Sequence, residues 1–141
     1  MRNNRTRAIS KELSRNDTGE TGGHQAGILV PKDSSILRFF PSLDSTQYNP
    51  RHEIAFHDTS ANKWVFAFIY YNNRAFGGTR NEYRLTRMTS YMRSNNLLAG
   101  DVLILSRDED SRYNIDYRRR SDDVKNEDRL VLGSGWKVIR V

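Results

Sequence analysis

The sequence predicts a mainly β fold with short helices: a mostly antiparallel, barrel-like sheet with about two helices at its ends. Three observations carry that prediction. β-Branched and aromatic residues gather into short runs, the densest being KWVFAFIYYNNR at residues 63–74. Other segments alternate apolar and polar residues with the period of two that a half-buried strand requires. Only two segments combine capping residues with a helix-stopping proline or glycine.

The elements follow in order. Residues 1–15 read either as a short helix or as an arm. AGILVP (26–31) is a brief apolar run closed by Pro31, the pattern of a buried strand. SSILRFFPSL (34–43) packs Ile36, Leu37, Phe39 and Phe40 behind serines able to cap a helix, which Pro41 ends. HEIAFHDT (52–59) and residues 63–74 are strands, and FGG (76–78) turns the chain. TRNEYRLTRM (79–88) places Arg80, Glu82 and Arg84 on one face of a strand, with Tyr83 and Leu85 on the other. The second helix opens with the capping residues Thr89 and Ser90 and stops at Gly100. DVLILS (101–106) is a buried strand, RYNIDYRRR (112–120) a half-exposed one, SDDVKNED (121–128) a loop, and GWKVIRV (135–141) a closing strand. No repeat interrupts the pattern, so one domain spans residues 1–141.

Composition narrows the functional classes. Without cysteine, disulfides and thiolate metal sites are excluded. No apolar run approaches the ~18 residues of a spanning helix, and the basic N-terminus lacks the apolar stretch of a secretory signal. A soluble, cytoplasmic protein without a membrane partner is therefore expected. The net charge of +6 and pI near 9.8 favour polyanions. That charge is concentrated. Residues 1–15 hold Arg2, Arg5, Arg7, Lys11 and Arg15 against Glu12, and residues 74–93 hold Arg74, Arg80, Arg84, Arg87 and Arg93 against Glu82. Each window is +4, whereas residues 101–129 are −2.

Two segments invite a binding role. In NDTGETGGHQ (16–25), Asp17, Thr18, Thr21, His24 and Gln25 surround glycines that let a backbone approach a ligand. No Lys-Ser or Lys-Thr pair follows those glycines, so this is no Walker loop. It reads as a plain turn, or as a loop following a DNA backbone or reaching a base edge. Arg80, Glu82 and Arg84 read as a solvated strand face with a local ion pair, or as base readers. Arginine bonds guanine O6 and N7 in a bidentate way, and glutamate accepts from cytosine N4.

Catalytic readings are weaker. Asp123-Val124-Lys125 lies in a polar loop, and His52 and His57 face opposite sides of one strand. Three competing functions stay open at this point: a small Mg²⁺-dependent nuclease built on residues 108–110, an RNA or general polyanion binder, and a protein-interaction domain.

NDTGETGGHQAGILVPK (16–32) together with YYNNRAFGGTRNEYRLTR (70–87) resembles the N-terminal effector domain of EcoRII-type restriction endonucleases. NNLLAGDVLIL (95–105) also looks like plant B-three transcription-factor domains. The resemblance implies a DNA-binding pseudobarrel whose two arms grip duplex DNA from the major groove. Asp17, Thr18, Thr21, Gly22, Gly23, His24 and Gln25 would belong to the first arm. Thr79, Arg80, Asn81, Glu82, Tyr83, Arg84 and Arg87 would belong to the second. His24, Arg80, Glu82 and Arg84 would read bases. Arg87, Lys11 and the amides around Gly22 and Gly23 would hold phosphates. The implied partner is double-stranded DNA carrying a G/C-rich site, 5′-CCWGG. Binding would need no cofactor. Mg²⁺ would serve only a separate C-terminal nuclease domain of a longer prokaryotic enzyme, acting at nucleoid DNA.

Overall fold

Period-two burial marks residues 28–30, 54–57 and 102–107, and hydrogen-bonded ladders join the strands into a single sheet. The computed structural model describes residues 6–22, 27–120 and 134–139. In chain order the elements are β1 (Ala8–Glu12), α1 (Arg15–Thr18), β2 (Ile28–Val30), α2 (Ser34–Leu37), β3 (Arg51–His57), β4 (Lys63–Tyr71), the 3₁₀ turn η1 (Asn73–Phe76), β5 (Glu82–Thr86), α3 (Thr89–Ser94), β6 (Val102–Arg107), β7 (Tyr113–Arg118) and β8 (Trp136–Val138). Among the described residues, eight strands lie in the order β2-β5-β4-β3-β7-β6-β1-β8. Every pairing is antiparallel except β3 with β7.

The sheet curls until its two edges meet. Trp136 Nε1, on edge strand β8, donates to the Leu29 carbonyl on edge strand β2 at 2.9 Å. One hydrogen bond thus spans the seam of a nearly closed barrel, the arrangement that shields strand edges. Inside lie Ile9, Phe56, Phe66, Leu85, Leu103, Leu105 and Ile115, each 0–1% exposed. Full burial of such side chains is worth about 1.5–3 kcal/mol apiece.

The helices plug the barrel from opposite ends of β4. Phe40, just past α2, stacks on Phe68 at 4.3 Å. Tyr91 of α3 meets Trp64 edge-on at 5.2 Å and Phe66 at 6.2 Å. Burial raises the Tyr91 hydroxyl well above the ordinary tyrosine range.

Several expectations shift. Residues 8–12, read as helix or arm, form β1, an interior strand between β6 and β8. Its Ser10 and Lys11 are buried along with Ala8 and Ile9, which hides the alternation. Asp33, not a serine, caps α2 by accepting from the Ser35 amide at 2.9 Å. The strand expected at 63–74 stops at Tyr71, because the chain enters η1. The strand expected at 79–88 covers only Glu82–Thr86. α3 begins after Met88 with no side-chain cap and ends at Ser94, with Asn95 as C-cap, rather than running to Gly100. The closing strand covers Trp136–Val138. The expected loop at 121–128 lies outside the described residues, as does the Asp123-Val124-Lys125 triplet.

Candidate functional site

Strand β5 organises the candidate surface. Leu85 points into the core, so Glu82, Arg84 and Thr86 face outward. Register extends that outer layer across three neighbours. Arg84 lies opposite Leu29 of β2 on one side and Ile69 of β4 on the other, and Ile69 lies opposite Arg51 of β3. Glu82 lies opposite Tyr71. Ala67 and Ile69, which share this face, are 0% and 3% exposed beneath the longer charged side chains.

Glu82 is the centre of the triad. Its Oε2 accepts from Arg80 Nη2 and from Arg84 Nε, both at 2.6 Å. Hydrogen bonds from Arg80 and then Arg84 hold its carboxyl below the usual carboxylate range. The Arg80 guanidinium also lies over the Tyr71 ring, 3.9 Å from its centroid. Arg84 Nη1 donates to the Gly27 carbonyl at 3.1 Å, tying β5 to the end of the first loop.

The β4–β5 connection is braced by hydrogen bonds to its own residues. Asn73 Oδ1 accepts from the Arg80 amide at 2.8 Å, and the Arg74 amide donates to the Arg80 carbonyl at 2.9 Å. Tyr70 donates its hydroxyl proton to Asn81 Oδ1 at 2.6 Å and stacks on Tyr83 at 4.2 Å. At the base of the connection, buried Asn72 donates to the Ser45 and Gln47 carbonyls. Thr79, in the same connection, is exposed.

The first loop leaves the barrel from α1. A capping box starts it, with the Asp17 amide donating to Ser14 Oγ and the Ser14 amide donating to Asp17 Oδ2. Asp17 Oδ2 also meets Lys11 Nζ at 2.9 Å, with both side chains under 10% exposed. Lys11 and Asp17 are thus buried together in the loop's foundation. Thr18, Thr21 and Gly22 lie at the surface. Glu20 Oε2 accepts from the Ala99 amide at 2.6 Å and fastens the loop to the α3–β6 connection. Gly23, His24 and Gln25 lie outside the described residues.

The two segments join the sheet at opposite ends of the β2–β5 pair. Gly27 precedes Ile28, the partner of Leu85, whereas the β4–β5 connection ends at Glu82. Glu82 to Thr86 is four strand steps, or ~13 Å, against ~12 Å for the width of a B-DNA major groove.

Arg87 is half exposed and not free-standing: its Nη1 donates to Glu53 Oε2 at 2.6 Å. Local spacing does not bring Arg51 and Glu53 to this face; only the register of β3 against β4 places them there. In the competing nuclease position, Asp108 Oδ1 accepts from the Asp110 and Arg112 amides, so its carboxylate shapes the β6–β7 turn. Among the described residues no three His, Asp or Glu side chains converge on a metal position, and no helix is long and apolar enough to cross a membrane.

Comparison with known proteins matches this architecture. The family model for restriction endonuclease EcoRII, N-terminal, matches residues 3–115, from ahead of β1 into β7. The type II restriction enzyme EcoRII of Escherichia coli is 45% identical over 80 residues, 55% of this chain and 20% of that enzyme. Auxin response factor 12 of Arabidopsis thaliana is 32% identical over 113 residues, 79% of this chain and 17% of that factor. A solved Arabidopsis FUS3-DNA complex shares the fold, with a TM-score of 0.61 at 20% identity, covering 78% of this chain and 94% of that one. The chain thus spans a fifth or less of these curated relatives' lengths. With a family model matched over residues 3–115, the chain belongs to the EcoRII N-terminal family of restriction endonuclease domains.

Proposed function

We propose that this chain is the sequence-specific DNA-recognition and effector domain of a type II restriction endonuclease, and that it reads 5′-CCWGG in the major groove. Family membership and fold support a DNA-binding effector domain. The observation that carries the finer reading is the Arg80–Glu82–Arg84 triad, gathered on one outward face at the root of the second arm. Two guanidiniums suit the guanines of such a site, and one carboxylate suits a cytosine N4 amine. From the first arm, Thr18, Thr21 and Gly22 are positioned for backbone contacts. His24 and Gln25 are assigned there by resemblance alone. Arg87 holds a phosphate once it leaves Glu53. Binding calls for no cofactor. Cleavage, with Mg²⁺, belongs to a nuclease domain C-terminal to this one in the full enzyme.

Fluorescence-anisotropy titration tests the proposal, using a short CCWGG duplex and a scrambled duplex at ~150 mM salt, with a gel lane for cleavage in Mg²⁺. A preference of about 10³-fold or more for the site is expected, without cleavage. Arg80→Ala and Glu82→Ala should each reduce that preference, by the ~1–3 kcal/mol of one bidentate contact. Equal affinity for both duplexes would overturn the assignment and leave a general polyanion binder. Cleavage by this chain would overturn its non-catalytic role.

A further inference from the structure

The outward residues of β3 share the layer that carries the triad. Arg51 stands two strands from Arg84, across Ile69, or ~10 Å at the spacing of paired strands. It is exposed, and among the described residues its guanidinium makes only long bonds, 3.4 Å, to the nearby Asn49 carbonyl. One step along the same face, Glu53 lies opposite Ala67, which lies opposite Thr86. Its carboxylate holds Arg87, with side-chain exposures of 60% for Glu53 and 53% for Arg87. Arg87 sits at the β5–α3 junction with φ at +68°, a left-handed conformation unusual for a side chain of its size.

We propose that β3 extends the DNA-facing surface: Arg51 takes a backbone phosphate, and Glu53 is a specificity-determining residue that restrains Arg87 and repels the duplex backbone. This rests on the reading of the triad as a DNA-reading face. Sequence-independent affinity follows the number of phosphates that cations neutralise. A carboxylate on the same layer subtracts from that number for every duplex. An exposed ion pair is weak, so a well-seated specific complex can separate Glu53 from Arg87, whereas a loosely held non-specific one gains little by doing so. Glu53 thereby lowers binding to the wrong sequence more than binding to the right one.

The test is salt-dependent anisotropy on the whole chain with the CCWGG and scrambled duplexes, for wild type, Arg51→Ala, Glu53→Gln and Glu53→Gln/Arg87→Ala. Thermal melts establish that each variant folds. Arg51→Ala should weaken both duplexes by a similar factor and reduce the salt slope by about one. Glu53→Gln should tighten scrambled-duplex binding severalfold and specific binding less, narrowing the ratio between them. Adding Arg87→Ala should abolish most of that gain. An unchanged salt slope in Arg51→Ala, or unchanged affinity for both duplexes in Glu53→Gln, would overturn the proposal. If wild type prefers neither duplex, the CCWGG reading falls by itself. The Arg51→Ala slope and the Glu53→Gln affinity then still decide whether β3 faces DNA.

Discussion

Gly27 precedes β2, and Gly27→Ala should damage the barrel far more than the same change at Gly22. Both glycines have left-handed backbones, with φ at +90° and +74°, a conformation that costs an ordinary residue ~1–2 kcal/mol. They differ in what a methyl group would meet. At Gly22 nothing among the described residues lies within 4 Å. At Gly27 the new Cβ would stand 2.5 Å from the Leu85 carbonyl oxygen and 2.9 Å from the Thr86 Cα, both backbone atoms. A relaxed carbon–oxygen contact needs ~3.3 Å or more, so β2 must withdraw from β5. β5 itself is held on its other side by β4. The withdrawal strains the Ile28–Leu85 pairing, where each lost bond is worth ~1 kcal/mol. The total for Gly27→Ala is ~2–4 kcal/mol, against ~1 kcal/mol or less at Gly22, where restricting the unfolded chain offsets part of the strain. In a domain of this size ~1 kcal/mol moves Tm by a few degrees. Urea unfolding followed by circular dichroism, with thermal melts, separates the two variants. Equal stability of Gly27→Ala and Gly22→Ala would refute the reasoning. The same withdrawal moves the carbonyl that receives Arg84 Nη1, so Gly27→Ala should also loosen the triad.

Trp136→Phe keeps most of the buried ring but removes the bond across the barrel seam, and should cost ~1–3 kcal/mol in a urea melt because the Leu29 carbonyl loses its donor. Lys11→Met or Asp17→Asn alone breaks a buried pair and should cost ~3–5 kcal/mol, with the double variant less destabilised than the sum of the singles. If Lys11 is a foundation residue, Lys11→Met should leave the salt slope of DNA binding unchanged in anisotropy. Hydrogen bonding holds the carboxyls of Glu20, Asp33, Asp44, Asp58, Glu82 and Asp108 below their ordinary range. The unfolded chain therefore takes up more protons than the folded one as pH falls through ~4. Tm should be level from pH 8 to about 5 and decline below that; a Tm that rises on acidification would contradict these hydrogen bonds.

Legibility followed how local each cause is. β4, β6 and β7 were readable because aromatic and branched side chains alternate or run together within a few residues. β1 was not, because Ser10 and Lys11 are buried on opposite faces of the strand, and their burial depends on partners far along the chain. Lys11 pairs with Trp136 in the ladder and with Asp17 in charge, and neither relation has a local signature. Glu82 and Arg84 were legible as one face from their spacing. Arg80 lies ahead of the strand, and it is the Glu82 bond and the Tyr71 ring that hold it to the group. Arg51 and Glu53 could not be read as part of the same layer, since their neighbours are fixed by the β3–β4–β5 register. The glycine-rich segment gave the converse difficulty: its composition suggested a surface loop, yet Asp17 is a buried residue of α1 that completes the capping box with Ser14.

The internal ion pairs of the triad bear on why a recognition face would carry a carboxylate between two arginines. A free arginine side chain has ~2 kcal/mol of rotamer entropy, and two unpaired guanidiniums side by side repel. Glu82 removes the repulsion and fixes one nitrogen of each, while Tyr71 supports one plane and the Gly27 carbonyl orients the other. The pairs themselves are weak, being partly exposed, so exchanging them for base edges sacrifices little. Ordering has already occurred in the free protein, which is the general route by which preorganisation raises affinity. Because β5 is an interior strand, hydrogen-bonded to β2 and β4, the floor under the triad cannot shift without breaking the barrel. Stability and recognition thus depend on different atoms of the same strand: Leu85 belongs to the core, and Glu82 and Arg84 to the face that we assign to DNA.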